Sequence, residues 1–287
     1  MRAALQNRRL WAVLLLAVLV GVVLLLYGPQ GGGAPAVRVT LLKVGKADAI
    51  VLETGDGVMV LDTGETEDGE ELADFLQAQG IARVDLLIIT HFDKDHVGGA
   101  AALAGRLELG RVLLPDYEGS RPEYRAFLEV LAQKGVSPER LVSPLTLSLG
   151  PAQLLVEPAA DQPGSGPDAP PAEEDNDLSL VVTVTHGQNR LLFMGDAEGR
   201  RISEWLAGPG CAPCDFIKLP HHGRYDPALE ELLAAAAPRY AAICCSQKNP
   251  AEPQTLALLR QAGIEVYETK DGDITLVSDG QSLKISQ

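Results

Sequence analysis

Basic residues, cysteines and long apolar runs are all scarce in this sequence. Lys and Arg together number 24 against 39 Asp and Glu, which gives a formal net charge of −15. Broad electrostatic binding to nucleic acid needs clustered Lys and Arg, so the charge balance argues against that function. It does not exclude a nucleic-acid substrate, because bound metal ions supply local positive charge. Four cysteines in 287 residues are too few for a disulfide scaffold.

One apolar run is long enough to span a membrane. Residues 10–27 contain no charged side chain, and residues 1–9 carry three arginines and no acid. A helix over this run reaches about 27 Å, close to the roughly 30 Å of a bilayer core. Because positive flanks stay in the cytoplasm, we predict a cytoplasmic segment 1–9, a single transmembrane signal anchor 10–27, a linker 28–36 and an extracytoplasmic domain 37–287.

A cleaved signal peptide is the alternative for this N-terminus, since the Ala-Pro-Ala sequence that ends at Ala36 resembles a cleavage site. Both interpretations export the domain to a compartment where thiols oxidise. Cys211 and Cys214 form a C-x-x-C pair, which we interpret as a loop disulfide rather than a redox or zinc-ribbon pair. Cys244 and Cys245 are predicted to be small core residues.

Short strand and helix patterns alternate through the exported part, and the composition is that of a globular chain. The predicted helices cover residues 70–79, 97–107, 122–134, 198–206, 227–236 and 253–262. The predicted strands cover residues 37–44, 49–53, 58–62, 84–90, 112–114, two or three runs up to 157, 178–185, 190–194, 216–219, 240–244, 264–268, 274–277 and 282–285. Residues 158–177, rich in Pro, Gly and acids, are predicted to be a flexible loop. The pattern predicts an α+β fold with two similar β-rich halves, packed as a sandwich with helices outside.

Four of the five histidines lie in two short clusters, which are the strongest functional signal. The first cluster, THFDKDHVGG at residues 90–99, follows a continuous apolar strand and contains two imidazoles and two carboxylates. The second, KLPHHG at residues 218–223, also follows a strand. Mixed nitrogen and oxygen ligands of this kind suit Zn²⁺, Mn²⁺ or Fe²⁺. The fifth histidine, His186, lies in a predicted hairpin turn, and we expect it at the surface.

Two acids outside these clusters also follow predicted strands, Asp62 and Asp196. With them, five motifs in order carry a resemblance to a known family: LDTG (61–64), THFDKDHVGG (90–99), NDLSLVV (176–182), FMGDAE (193–198) and KLPHHG (218–223). The chain resembles the metallo-β-lactamase-fold hydrolases, and more narrowly the C-terminal domain of ComEC-like competence proteins. The resemblance covers nearly all of the exported part and implies a four-layer αββα sandwich, preceded here by the transmembrane helix.

The resemblance also implies a binuclear site with two divalent metal ions, most simply Zn²⁺, with Mn²⁺ or Fe²⁺ as alternatives. It assigns as ligands His91, Asp93, Asp95, His96, Asp196 and His222, with His221 as the alternative to His222. Asp95 and Asp196 would be catalytic, and Asp62 would orient a ligand. Ser179, Lys218, Arg224 and Asn249 are candidates for substrate binding.

The chain departs from the family pattern at three places. The fourth motif lacks the histidine that superfamily members usually have there. Residues 44–49 read VGKADA where the ComEC-like branch typically has VGQGDA, and residues 249–253 read NPAEP where a His-Pro is common.

The expected function is a membrane-anchored, extracytoplasmic metal-dependent phosphodiesterase. Divalent ions lower the pKa of water toward about 7 and hold the attacking and leaving oxygens of a phosphodiester. The substrate would be a nucleic acid, a nucleotide or a cell-wall phosphodiester. The alternatives are a β-lactamase or thioesterase, and a non-catalytic anchored binding module with a degenerate site. The sequence names no protein partner.

Overall fold

The computed structural model describes residues 36–165 and 175–287, which form one compact unit from Ala36 to Gln287. None of the helices in these residues is both long and apolar enough to cross a membrane. The predicted anchor at residues 10–27 and most of the linker lie outside the described residues, as do residues 166–174 of the predicted loop.

Fifteen strands form two sheets in the described part of the chain. In chain order they are β1 (Val37–Leu41), β2 (Ala49–Glu53), β3 (Val58–Thr63), β4 (Arg83–Ile88), β5 (Glu108–Pro115), β6 (Glu139–Leu141), β7 (Leu145–Leu149), β8 (Ala152–Glu157), β9 (Val181–His186), β10 (Asn189–Phe193), β11 (Phe216–Lys218), β12 (Tyr240–Ile243), β13 (Glu265–Glu268), β14 (Ile274–Ser278) and β15 (Leu283–Ser286). The first sheet has the order β15-β14-β1-β2-β3-β4-β5-β6, and the second has the order β13-β12-β11-β10-β9-β8-β7.

Within the described residues, seven α-helices accompany the two sheets. They are α1 (Asp68–Ala78), α2 (Lys94–Val97), α3 (Ala100–Arg106), α4 (Pro122–Lys134), α5 (Gly199–Ala207), α6 (Leu229–Ala236) and α7 (Pro253–Gln261). Helix α4 has proline in its first turn and ends at Gly135 with a left-handed φ of 69°, which are the usual start and stop signals.

Three apolar clusters hold these layers together. One lies between the sheets and includes Ile50, Leu154 and Phe193. The second packs α1, α3 and α4 against the first sheet, and the third packs α5, α6 and α7 against the second sheet. The predicted two-sheet α+β sandwich with helices outside is therefore confirmed.

Parallel strands in both sheets determine where polar side chains meet. Strands β3, β4 and β5 are parallel neighbours in the first sheet, and β10, β11 and β12 are parallel neighbours in the second. The carboxyl ends of parallel neighbours lie at one edge of a sheet, where open α/β sheets place their ligands. Both histidine clusters and Asp196 follow such strand ends.

The predictions for His186 and for the end of the first strand are wrong. His186 is buried, not exposed, because the tip of the β9–β10 hairpin packs against the turn after β14. There the ring Nδ1 of His186 lies 2.8 Å from Ser278 Oγ. A short 3₁₀ helix, Asn176–Leu178, lies at the end of the predicted loop, whose flexibility stays a prediction. Strand β1 ends at Leu41, three residues before the predicted end.

The cysteines are all free thiols, so the disulfide interpretation of Cys211 and Cys214 is wrong. Cys214 belongs to the apolar cluster of the second sheet, and Cys211 is partly exposed beside it. Burial raises the pKa of the Cys214 thiol to about 12. Cys244 and Cys245 are buried in the core, as predicted.

Candidate metal centre

Four side chains from three separate segments converge at the carboxyl edge of the sheets. Asp95 and His96 belong to α2, Asp196 follows β10, and His222 follows β11, and one ligand atom of each lies within 4.8 Å of the others. His222 Nε2 is 3.3 Å from Asp95 Oδ2 and 3.1 Å from Asp196 Oδ2. His96 Nε2 is 3.2 Å from Asp196 Oδ1.

Three polar atoms of this group are buried and have no hydrogen-bond partner. They are His96 Nε2, His222 Nε2 and Asp196 Oδ1. Buried polar atoms without partners are costly, and native proteins rarely keep them without a reason. Two imidazole nitrogens and two carboxylates are a donor set that divalent Zn, Mn or Fe accepts. The residues present therefore fit a divalent metal ion.

Asp62 fixes the orientation of His96. Its Oδ2 lies 2.8 Å from His96 Nδ1, and its two oxygens accept hydrogen bonds of 2.7 Å from the amide and the hydroxyl of Thr90. A carboxylate on Nδ1 places the proton there and leaves Nε2 free as a ligand atom. Asp62 is therefore in contact with His96, and its role as an orienting group stays a prediction.

His222 is directed inward by an unusual backbone. His221 and His222 have φ values of 47° and 52°, in the left-handed region that side chains other than glycine seldom adopt. Such strain is concentrated at functional sites. Gly223 follows with φ of 77°, and a Cβ there would lie 2.8 Å from the Cβ of Ala251.

The backbone turn separates the two neighbouring histidines. His222 is buried and its Nδ1 donates to the carbonyl of Cys244 at 3.0 Å, which again leaves Nε2 free. His221 is partly exposed, and its Nδ1 lies 2.9 Å from Glu198 Oε1. The structure therefore brings His222 into the group and leaves the alternative, His221, at its rim.

His91 and Asp93 lie beside the four-residue group rather than in it. The buried ring of His91 is 4.1 Å from the ring of His96, and its Nε2 has no hydrogen-bond partner. Burial, and then the neighbouring His96, lower the pKa of His91 to about 3, so its imidazole is neutral. Asp93 Oδ2 is 4.0 Å from His91 Nε2, while its other oxygen accepts a 2.6 Å hydrogen bond from Arg121.

Opposite charges control protonation inside the group. Burial raises the pKa of Asp196, but His222 and His96 outweigh it and hold that pKa well below its ordinary value. Burial lowers the pKa of His96, but the carboxylates of Asp196 and Asp62 raise it well above the ordinary value. The pKa of Asp95 is also lowered, against burial, by the imidazole of His222, whose Nε2 is 3.3 Å away, and by the charge of His96.

A buried ion pair lies behind the histidines. The ammonium of Lys218 contacts the carboxylate of Asp48 and donates to the carbonyl of Gly195 at 3.0 Å. Lys218 is completely buried, so the prediction that it binds substrate is wrong. Burial lowers the pKa of Lys218, but Asp48 and Asp196 outweigh burial and raise it above its ordinary value.

Asp48 is the residue of this centre that sequence reasoning missed. Its oxygens are 3.6 Å from His222 Nδ1 and 3.9 Å from His96 Nδ1, so it faces both histidines from behind. It also forms a second candidate ligand group with Asp62 and His96. The VGKADA motif at residues 44–49 was the available signal, because it places this acid just before β2.

The remaining candidates for substrate binding lie in two different environments. Ser179 is buried, and its hydroxyl accepts a 3.3 Å hydrogen bond from the amide of Asp196, so it supports that loop and does not face substrate. Arg224 and Asn249 line a cavity of about 420 Å³ beside His222. Lys46 and Lys248, which sequence reasoning missed, line the same cavity.

Comparison with known proteins identifies the family. Residues 42–247 match the model of the metallo-beta-lactamase superfamily, and this range contains every residue of the centre. The chain belongs to the metallo-β-lactamase superfamily. It therefore has the fold of the metal-dependent hydrolases of that superfamily. The clustered ligand atoms form a candidate site for a divalent metal ion.

The curated relatives include several competence proteins, which confirms the ComEC-like resemblance. The chain is 27% identical over 253 residues to ComE operon protein 3 of Bacillus subtilis, covering 81% of this chain and 32% of the relative. It is 27% identical over 271 residues to competence protein ComA of Neisseria gonorrhoeae, covering 91% of this chain and 34% of the relative. The chain thus spans about a third of the length of these relatives.

Solved structures support the fold alone. The metallo-beta-lactamase fold protein YhfI of Bacillus subtilis superposes with a TM-score of 0.53 at 12% identity, covering 85% of this chain and all of YhfI. The β-hydroxylase CmlA, as an E377D mutant, superposes with a TM-score of 0.54 at 16% identity, covering 84% of this chain and 53% of CmlA.

Proposed function

We propose that this metallo-β-lactamase superfamily protein is a metal-dependent phosphodiesterase. The observation that carries the proposal is the buried group of His96, His222 and Asp196, whose Nε2 and Oδ1 atoms have no hydrogen-bond partner. Asp95 completes this ligand set. Similarity to ComE operon protein 3 and competence protein ComA supports the ComEC-like resemblance, and that resemblance favours a phosphodiester substrate over a lactam or a thioester.

The four clustered residues would hold one divalent ion, and His91 with Asp93 would contribute to a second. A bound divalent ion polarises a phosphoryl oxygen and makes hydroxide available near neutral pH. Zn²⁺ fits the nitrogen and oxygen donors best, and Mn²⁺ and Fe²⁺ are the alternatives. The catalytic residues in this proposal are Asp95 and Asp196.

The chain's own residues have separate tasks around the reacting phosphodiester. Asp95 lies at the open side of the group, partly exposed, and is held ionised by His222, so it accepts a proton or a hydrogen bond from water. Arg224 and Asn249 line the adjoining cavity, where a guanidinium and an amide bind phosphate oxygens.

Hydrolysis assays with three classes of ester test the proposal. The protein, reconstituted with Zn²⁺ or Mn²⁺, should cleave bis(p-nitrophenyl) phosphate, and His222→Ala should reduce kcat/KM by at least about a hundredfold. His221→Ala is the matched control and should retain most activity. Turnover of nitrocefin or an acyl thioester, without phosphodiester cleavage, would replace the proposal by the β-lactamase or thioesterase alternative.

A protein that binds metal but cleaves none of these esters, nor DNA or RNA, would support the non-catalytic binding module.

We further propose that residues 10–27 anchor the domain to the membrane and that residues 37–287 lie outside the cytoplasm. The apolar run and its arginine-rich flank support this placement. We expect the chain to remain in membranes after an alkaline wash. We also expect protease added outside the cell to digest the domain. A shortened, freely released domain that begins near Ala36 would indicate cleavage and secretion.

A further inference from the structure

A groove beside the candidate metal centre carries positive charge in an otherwise acidic domain. From residue 37 onward the sequence has 39 acidic residues against 21 basic ones. The groove of about 420 Å³ is lined by three cations, Lys46, Arg224 and Lys248, and by one acid, Glu252. Because this local balance reverses that of the domain, the groove attracts anions where the rest of the surface repels them.

The groove begins at the metal-binding side chains. His222 lines it, and this buried imidazole has an Nε2 atom without a hydrogen-bond partner. Lys46 Nζ lies 3.8 Å from Asp95 Oδ2, and 38% of its side chain is exposed. A ligand atom held by the centre would therefore be adjacent to the Lys46 ammonium.

The other two cations are available to a ligand. Arg224 has a side chain that is 61% exposed, and its ion pair with Glu198 is 3.4 Å long. Lys248 is exposed, and it makes no ion pair or side-chain hydrogen bond with any residue in 36–165 or 175–287. Its ammonium therefore has no carboxylate within ion-pair distance among the described residues, although Glu252 lines the same groove.

We propose that Lys46, Arg224 and Lys248 form a subsite for a second phosphate group of the substrate. This inference rests on the proposed function, in which the metal centre holds the reacting phosphodiester. A single phosphodiester carries one negative charge, which divalent ions bound at the centre would compensate. Lys46 and Arg224 each lie near one carboxylate, whereas Lys248 pairs with no described acid, so the groove keeps positive charge for a further anion. Ammonium and guanidinium groups both suit phosphate oxygens. The substrate is thus a phosphodiester with another phosphate nearby, bonded directly or attached across a sugar.

Three chromogenic esters with the same leaving group distinguish these sources. They are the p-nitrophenyl ester of thymidine 5′-phosphate, the same ester with an added 3′-phosphate, and the p-nitrophenyl ester of thymidine 5′-diphosphate. With the full-length protein reconstituted with Zn²⁺, one of the two bisphosphorylated esters should have a KM about tenfold lower than the first, at similar kcat. If the 3′-phosphorylated ester has the lower KM, the second phosphate lies across the sugar. If the diphosphate ester has the lower KM, the two phosphates are bonded directly.

Charge variants identify the residues responsible. Lys248→Gln should remove most of the preference and leave the KM of the first ester unchanged, whereas Lys248→Arg should keep the preference. Lys284→Gln removes an exposed lysine on the edge strand β15 and is the matched control. Equal KM values for all three esters, or a preference that survives Lys248→Gln, would overturn the subsite.

Calorimetry separates this inference from the proposed function, because it needs no turnover. The Zn²⁺-loaded protein should bind thymidine 3′,5′-bisphosphate or thymidine 5′-diphosphate more tightly than thymidine 5′-phosphate, and Lys248→Gln should abolish the difference. If this holds while no ester is cleaved, the subsite stands and the phosphodiesterase proposal fails. If the first ester is cleaved and all three nucleotides bind equally, the phosphodiesterase proposal stands and the subsite fails.

Discussion

The ammonium of Lys218 is paired with the carboxylate of Asp48, and both side chains are buried behind the two histidines of the candidate metal centre. The two residues are 170 positions apart in sequence, and the pair joins the loop before β2 to the end of β11. The first sheet is thereby connected to the second by a charged contact directly beneath the site. Asp48 in turn lies within 4 Å of the Nδ1 atoms of His96 and His222.

Replacing Lys218 should therefore destabilise the fold strongly. Lys218→Met leaves the Asp48 carboxylate buried and uncompensated, and breaking a buried pair in this way costs about 3–5 kcal/mol of unfolding free energy. Denaturant unfolding measures the loss. Lys284→Met, at an exposed position, is the control and should change stability by less than about 0.5 kcal/mol. If the double variant Lys218→Met/Asp48→Asn loses as much as the sum of the two single losses, the two residues are not coupled.

Removal of Asp62 should weaken metal binding although it leaves Asp95, His96, Asp196 and His222 in place. Asp62→Ala deletes the carboxylate that lies 2.8 Å from His96 Nδ1, and loss of such an orienting partner typically costs 10–100-fold in metal affinity. Competition titration with a metal-binding dye measures the dissociation constant. Asp56→Ala removes an exposed aspartate and should leave that constant unchanged. An Asp62→Ala protein with wild-type affinity would contradict the orienting role.

The sequence predicted the sandwich and most of this site, for reasons that are local. Residues 84–90 form an unbroken apolar run, which indicates a buried strand, and functional side chains follow the ends of such strands. Asp196 and His222 could be found in this way because they stand three and four residues after β10 and β11, and His96 lies in the polar segment that follows β4. The family motifs added their order along the chain.

What the sequence did not reveal depends on contacts between distant segments. The sequence suggests substrate binding for Lys218 and no role for Asp48, and only the packing of the two sheets shows that the two residues are buried as a pair. His186 stands in a polar hairpin tip, and only the packing of that tip against Gly280 buries it. The choice between His221 and His222 follows from left-handed backbone angles that their residue types do not predict.

Ser278 should stabilise the contact between the two sheets. Its hydroxyl donates to Asn189 at 2.7 Å, accepts from the amide of Gly280 at 3.1 Å and contacts His186 at 2.8 Å, and the whole cluster is buried. Ser278→Ala leaves these groups without a partner, so we expect a loss of about 1–3 kcal/mol in unfolding free energy. Metal content should not change, because the cluster lies far along the strands from the centre.

Thermal or denaturant unfolding of Ser278→Ala beside Ser120→Ala provides the comparison, since Ser120 is exposed. Equal stability of the two variants would show that the buried cluster contributes nothing.

Asp68, in the first turn of α1, should make stability depend on pH. Burial, together with Glu67 and other nearby acids, raises the pKa of Asp68 to about 6. Because the folded state disfavours the charged form, this group lowers the free energy of unfolding as pH rises from about 4 to about 6, and the loss then stays constant. Half-exposure screens the effect, so we expect about 1 kcal/mol.

Asp68→Asn removes this titration. Denaturant unfolding between pH 4 and pH 7 should therefore show the variant gaining stability relative to the wild type as pH rises. A difference that is constant over this range would contradict the raised pKa.

Metal content is the most direct test of the centre itself. The full-length protein, reconstituted with Zn²⁺ or Mn²⁺ and dialysed, should contain at least one equivalent of metal by elemental analysis. His222→Ala and Asp196→Asn should lose it, and His221→Ala should retain it, because only the first two remove atoms of the buried ligand group. A folded wild-type protein without metal, or a His222→Ala variant that keeps the full amount, would contradict the account.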